Sequence, residues 1–201
     1  MRPLHLASSS PRRREILTAL GIAHSFAGVD IDETPRSGES PRELALRLAL
    51  EKARAARPPD DATPLVLAAD TVVSIGSELF GKPANEEGAL YMLGRLSGRT
   101  HAVLTAVALL DGRRQQSALS LSEVRFRRIA PREARAYWRT GEPRGKAGAY
   151  AIQGRGGIFV EKLSGSHSGV MGLPVFETAE LLKRAGVDVL WNEVSDRGRR
   201  A

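Results

Sequence analysis

The chain has 201 residues, 30 lysines and arginines against 23 aspartates and glutamates, a formal charge of +7 at pH 7, and no cysteine. This length gives room for one domain with a sizeable core, and the absent thiols exclude disulfides and cysteine catalysis. No N-terminal apolar run suits a signal peptide, and no segment approaches the roughly 18 apolar residues of a membrane span, so a cytoplasmic protein is expected.

A short apolar strand is predicted over residues 4–8, ending in Ser8-Ser9-Ser10. Pro11 then opens a helix over 11–20, closed by Gly21, because proline's fixed φ is already helical and its missing N–H would be unpaired there. Ser10 stands where a side chain caps free N–H groups. Arg12, Arg13 and Arg14 fill the first turn, at the positive end of the helix dipole. That placement favours a phosphate-bearing ligand nearby; the alternative is three solvated surface arginines. An irregular acidic stretch, Val29-Asp30-Ile31-Asp32-Glu33-Thr34, leads to the capping box Ser40-Pro41-Arg42-Glu43. The helix it opens runs over 41–57 with Leu44, Ala45, Leu48 and Ala49 buried and Lys52 on its later turns. Past a proline-rich connection at 57–64, Leu65-Val66-Leu67-Ala68-Ala69 reads as a buried strand ending at Asp70, and 71–75 continues extended.

Asn85-Glu86-Glu87 caps a third helix with Leu90, Leu93 and Leu96 inward and Gly98 at its end. A hairpin follows, with a strand over 101–110, the turn pair Asp111-Gly112, and a return strand through Val124 to Ile129. Pro131 opens a fourth helix that Gly141 ends. The glycine-rich stretch 145–157 precedes a short strand at 158–160, and the loop 164–174 precedes a last helix at 175–185. Parallel and hairpin-linked strands together predict an α/β fold with a mixed β-sheet flanked by helices. Residues 1–190 read as one domain, and 191–201 as a basic, disordered tail.

Glu33, Asp70 and Asp32 stand where loops meet elements. Carboxylates with lysines nearby are what a magnesium-dependent phosphoryl site requires: the hard cation takes oxygen ligands, and phosphate oxygens take Lys or Arg. Lys82 in Phe80-Gly81-Lys82-Pro83 and Lys146 in Gly145-Lys146-Ala147-Gly148 sit on tight turns, though either taken alone is more often a solvated charge. Residues 141–147 mimic a P-loop but are one residue short, with Ala147 where a hydroxyl should meet magnesium. His5, His24, His101 and His167 lack the spacing of zinc ligands, and no Gly-x-Ser-x-Gly elbow is present. The positive charge fits nucleic acid, an acidic membrane, a polyphosphate or simply arginine bias on exposed helix faces, and alone does not choose. Nucleic acid is the less favoured, because single-strand binders interleave stacking aromatics with their cations and aromatics are only 5% here.

Several blocks in order carry a resemblance: Ala7-Ser8-Ser9-Ser10-Pro11-Arg12-Arg13, Ala69-Asp70-Thr71-Val72-Val73, Gly81-Lys82-Pro83, Leu96-Ser97-Gly98-Arg99-Thr100-His101, Lys146-Ala147-Gly148-Ala149-Tyr150-Ala151-Ile152-Gln153-Gly154 and Gly172-Leu173-Pro174. From residue 4 to 182 the chain resembles the Maf family of nucleoside triphosphate pyrophosphatases. The resemblance implies an elongated mixed sheet, two lobes around a central cleft, a homodimer, and cleavage of a nucleoside triphosphate between its α- and β-phosphates with Mg²⁺ or Mn²⁺. Over the matching motifs, Asp70 falls on the proton acceptor, and Arg12, Thr71 and Gln153 on specificity positions. Glu33, Lys52 and Lys82 match cleft residues that act on metal and phosphates; Glu33 and Asp70 would hold the metal, and Ser8, Arg12, Arg13, Lys52 and Lys82 the phosphates.

Asp70-Thr71 and Ile152-Gln153-Gly154 are similar to the branch that acts on dTTP, UTP and modified pyrimidine nucleotides. The sister branch, acting on 7-methyl-GTP, generally has Glu in place of this Gln. A glutamine amide offers one donor and one acceptor, which can meet N3–H and O4 of uracil or thymine, but if flipped it can also pair with cytosine. His167 and Gly169 stand where the family more often shows Tyr and Asn. A non-enzymatic regulator of septum formation is the other reading, disfavoured by retained acids beside a polyphosphate.

Overall fold

A computed structural model of the chain describes residues 3–58 and 64–190; the tail predicted at 191–201 and residues 59–63 of the proline-rich connection lie outside the described residues. Apolar runs without polar alternation become the strands buried on both faces. The longest of these is the strand begun at Leu65, buried at all but two of its eleven positions.

The elements in chain order are β1 (Leu4–Ala7), α1 (Pro11–Ala19), β2 (Ser25–Ala27), α2 (Pro41–Ala55), β3 (Leu65–Ile75), β4 (Glu78–Phe80), α3 (Glu86–Leu96), β5 (Thr100–Asp111), β6 (Arg114–Phe126), α4 (Pro131–Arg139), β7 (Val160–Ser164), α5 (His167–Met171) and α6 (Val175–Arg184), with 3-10 turns at Ala147–Ala149 and Arg155–Phe159. Among the described residues they form one seven-stranded sheet in the order β2-β1-β3-β5-β6-β7, with β4 added to β3. β1 runs parallel to β2 and β3, whereas the pairs β3–β4, β3–β5, β5–β6 and β6–β7 are antiparallel, so the predicted mixed sheet is present. No helix among the described residues is long and apolar enough to cross a membrane.

Helices cover the sheet unequally. On one face α2 lays Leu44, Ala45, Leu48 and Ala49 against Val66, Ala68, Val72, Leu104 and Ala106. Alanines on both partners let the helix approach closely, and the capping box holds its start, with Ser40 and Glu43 each accepting the other's backbone N–H. The opposite face carries two separate cores. Ile16, Leu17, Leu181 and Leu182 from α1 and α6 pack on Leu67, Ala69, Val107 and Leu109. Leu93, Leu96 and Phe159 pack on Val73, Val103, Val124 and Phe126. Between them, Thr71 on β3 lies opposite Thr105 on β5 and belongs to neither core. This polar seam divides two lobes that share one sheet.

Several boundaries differ from the sequence pattern. Asp70 lies inside β3 rather than at a strand end, because antiparallel pairing with β5 continues through Ser74. Ser10 makes no capping bond; Ser8 Oγ takes the Ser10 N–H instead, at 3.2 Å. The hairpin turn is Gly112-Arg113, since Asp111 still pairs with Arg114, and Gly112 supplies the positive φ of 56° that such a loop demands. The strand expected at 158–160 is shifted to Val160–Ser164: residues 155–159 coil into a 3-10 turn that drops Phe159 into the core. The return strand stops at Phe126. Strands β2 and β4 and helix α5 are too short to leave a periodic signal, and none is predicted.

Around Phe126 the core is aromatic, with His101 and Tyr150 each in edge contact at 4.8 Å between ring centroids. His101 Nε2 pairs with Tyr150 Oη at 2.9 Å. Burial holds the His101 imidazole at about 4, against its ordinary 6.5, and lowers His5 too. Both rings are held toward the neutral form, so their contribution is complete above pH 6.5 and declines below it, for His101 over the range down to about 4. For His101 alone the loss is on the order of 3 kcal/mol, because each tenfold change in proton affinity corresponds to about 1.4 kcal/mol. Replacing the bonded pair together, His101→Phe with Tyr150→Phe, should flatten the fall of the urea midpoint between pH 6.5 and 4; an unchanged slope would assign the acid loss to other groups.

Candidate functional site

One edge of β3 is paired with β5 throughout, but the other has two short partners. β1 pairs with Leu65 to Leu67, and β4 with Val73 to Ile75. Residues 68–72 run between them along an edge with no strand partner, and there the Ser8-Ser9-Ser10 turn leaves β1 for α1. Strand alternation then turns Asp70 to the α2 face and Thr71 to the seam between the lobes. A cleft of about 970 Å³ opens at this gap. Ser8, Arg12, Arg13, Glu33, Lys52, Asp70, Thr71, Lys82 and Gln153, the residues that the resemblance assigns, all line it; Asp32, the third acid weighed in the sequence, does not.

Lys52 is the buried centre of the charged cluster. From the last turn of α2 its Nζ lies 2.5 Å from Asp70 Oδ1 and 2.6 Å from Glu33 Oε1. Lys82 closes the outer side, donating to Glu33 Oε2 at 3.1 Å. Burial pushes the Glu33 carboxyl up, but the bonds and charges of Lys52 and Lys82 outweigh it and hold the group below its usual value. The Lys82 turn is itself tied to the Lys146 turn, Gly148 N–H donating to Gly81 O at 3.1 Å.

The three consecutive arginines have three different fates. Arg12 forms an ion pair with Glu15 at 2.9 Å on the cleft rim. Arg14 stacks over the Phe26 ring, 4.2 Å from its centroid. Arg13 reaches inward: Nε donates to Gly172 O at 2.8 Å, Nη1 to Ser8 Oγ at 3.2 Å and Nη2 to Thr71 Oγ1 at 3.4 Å. Desolvation draws its pKa down, opposed by the charges of Asp70 and Glu33. The hydroxyls beyond it have a fixed direction. Gly169 O can only accept, so Thr105 donates to it at 2.7 Å; Thr71 must then donate to Thr105 at 3.0 Å and accept from Arg13.

The cleft is thus floored by a mixed sheet, with a lysine-bridged pair of carboxylates and an inward arginine lining it. The family model described as Maf-like protein matches residues 3–185. The chain belongs to the Maf family. It is 52% identical over 184 residues to the dTTP/UTP pyrophosphatase of Methylococcus capsulatus, covering 92% of this chain and 91% of that one. The dTTP/UTP pyrophosphatase of Alkalilimnicola ehrlichii is 50% identical over 190 residues, covering 92% and 94%. That of Anaeromyxobacter dehalogenans is 52% identical over 195 residues, covering 94% and 96%.

In this Maf chain the cleft also contains residues that the sequence pattern does not assign a role. Arg144 and Lys146 line it, and Lys146 is signalled only by its glycine-flanked turn. Thr105, which lies behind the cleft rather than in its lining, is signalled more plainly, as the lone hydroxyl in Val103-Leu104-Thr105-Ala106-Val107. The two departures from the family pattern lie off the cleft. His167 is exposed, whereas Gly169 is buried, and a Cβ there would come within 3.1 Å of Ser166 Cβ and 3.2 Å of Ser120 Oγ. Among the described residues no group of three or more His, Cys, Asp or Glu side chains is placed to enclose a metal; of the cleft carboxylates Glu15, Asp30, Glu33 and Asp70, the last two are gathered on Lys52.

Lys52 stands between two carboxylates, and both it and Asp70 keep only 10% of their side chains exposed. Breaking such a pair leaves a buried charge uncompensated, so Lys52→Met should destabilise by about 3–5 kcal/mol. Adding Asp70→Asn should recover much of that loss in thermal unfolding. Strict additivity of the two substitutions would show that Lys52 contributes by packing alone.

Proposed function

We propose that this cleft hydrolyses dTTP and UTP to the nucleoside monophosphate and pyrophosphate. The observation that carries the reading is the Asp70–Lys52–Glu33 cluster, closed on its outer side by Lys82 and sharing one cleft with Arg13. Sequence identity near 50% over nine-tenths of the chain with proteins of that name supports it.

Lys52 holds Asp70 by one oxygen, Oδ1, which orients the carboxylate and leaves the other for a water. Asp70 takes a proton from that water as its oxygen bonds to the α-phosphorus, and the bond from phosphorus to the bridging oxygen breaks as pyrophosphate leaves. Arg12, Arg13, Lys52 and Lys82 hold the triphosphate, with Ser8 and the N–H groups at the start of α1 beside them. Glu33 and Asp70 fit a divalent cation by their chemistry: both are hard oxygen donors gathered on one ammonium, and Mg²⁺ or Mn²⁺ takes one or two carboxylates with phosphate oxygens and water for the rest. When bound, the cation would neutralise charge on the phosphate oxygens. Gln153 offers its amide to the pyrimidine edge, with Arg12 and Thr71 completing the specificity set. The same reading makes residues 1–190 one catalytic unit, cytoplasmic and homodimeric; the single sheet running through both lobes supports the unit.

The test is pyrophosphate release from dTTP, UTP, CTP, GTP and 7-methyl-GTP with Mg²⁺ or Mn²⁺. Release is expected from dTTP and UTP, and Asp70→Asn should lower it by about 10² or more while the protein stays folded. Release mainly from 7-methyl-GTP would move the chain to the sister specificity, and none at all would favour a nucleotide-binding regulator.

A further inference from the structure

We propose that Glu142, which does not line the cleft, is the positioning residue for base recognition: its carboxylate holds the loop that presents Gln153 and thereby sets which pyrimidine is accepted. This rests on the role given above to Gln153.

Gln153 makes no side-chain hydrogen bond among the described residues, so its presentation depends on its backbone. That backbone is held from both sides by two side chains. Glu142 Oε1 accepts the Tyr137 hydroxyl at 2.6 Å and Gly156 N–H at 3.0 Å, and Oε2 accepts Arg155 N–H at 3.0 Å. Tyr137 Oη in turn accepts Ala151 N–H at 3.0 Å. The N–H groups two residues before Gln153 and two and three after it therefore converge on one acid and its phenol. The approach leaves no spare room: a Cβ on Gly154 would fall 2.6 Å from Glu142 Cδ, and one on Gly156 would fall 2.5 Å from Tyr137 Oη. The Glu142 carbonyl also accepts from Lys146 Nζ at 2.6 Å, so a second cleft residue is anchored at the same point.

Only an ionised carboxylate satisfies this arrangement. Each of its oxygens faces donors, whereas the amide of a glutamine has one oxygen and would turn its NH₂ toward either Arg155 N–H or the donors from Tyr137 and Gly156. Burial pushes the Glu142 carboxyl up, but the bonds from Tyr137, Gly156 and Arg155 bring it net below its ordinary value, so it is charged at neutral pH.

The experiment measures kcat and KM for dTTP and CTP in Glu142→Gln, Tyr137→Phe, Gln153→Ala and the double variant Glu142→Gln/Gln153→Ala, with thermal midpoints alongside. Glu142→Gln should lower the dTTP-to-CTP ratio of kcat/KM about tenfold, the scale of one misplaced hydrogen bond, through KM rather than kcat. Tyr137→Phe should shift the ratio the same way, and Glu142→Gln should have no further effect on it once Gln153 is alanine. If Gln153→Ala leaves the ratio unchanged, the reading of Gln153 itself falls, and this one with it. If Gln153→Ala shifts the ratio but Glu142→Gln and Tyr137→Phe lower both nucleotides equally, or the Glu142→Gln effect persists without Gln153, Glu142 is merely structural and this proposal alone is overturned.

Discussion

A strand inside a sheet must satisfy its backbone on both edges, and β3 does so unevenly. β5 pairs with it from Leu65 to Ser74, while the other edge is shared between β1 and β4 with a gap between. Everything chemical follows from that gap. It lets the serine turn and the start of α1 approach the middle of a central strand, where a carboxylate and a hydroxyl on adjacent residues face opposite sides of one edge. Rigid pairing behind and an open edge in front give Asp70 a fixed position without enclosing it.

The fold was largely legible where burial has a period. The helices at α2 and α3 follow their caps and leucine spacing, and the long strands follow their apolar runs. What could not be read was decided by partners distant in sequence. Whether Asp70 ends a strand depends on β5, more than thirty residues away, and the five-residue α5 is held by Ser166 at its start and by Thr105 on Gly169 O. Ser10 looks like a cap, yet Ser8 takes over its backbone because the turn folds inward.

The site was legible in a different way. Most of its residues stand in motif blocks, and the structure adds their grouping: Lys52, which the resemblance assigns to phosphates, bridges Asp70 and Glu33. Composition gave the sign of the charge but not its layout, in which cations surround a small acidic centre. Tyr137 and Glu142 work one layer behind the cleft without lining it, so no pattern of chemistry-bearing residues at its surface could have revealed them.

Arg13 has five N–H groups, and the protein uses one on Nε, one on Nη1 and one on Nη2. Among the described residues nothing takes the other two, one on each terminal nitrogen, so an oxygen entering the cleft can be held without surrendering any of these three bonds. The guanidinium is thus preorganised, and binding escapes the entropic cost of immobilising a long side chain. Lysine at this position could not serve both ends, since its three N–H groups would all be spent on Gly172, Ser8 and Thr71 before a ligand arrived.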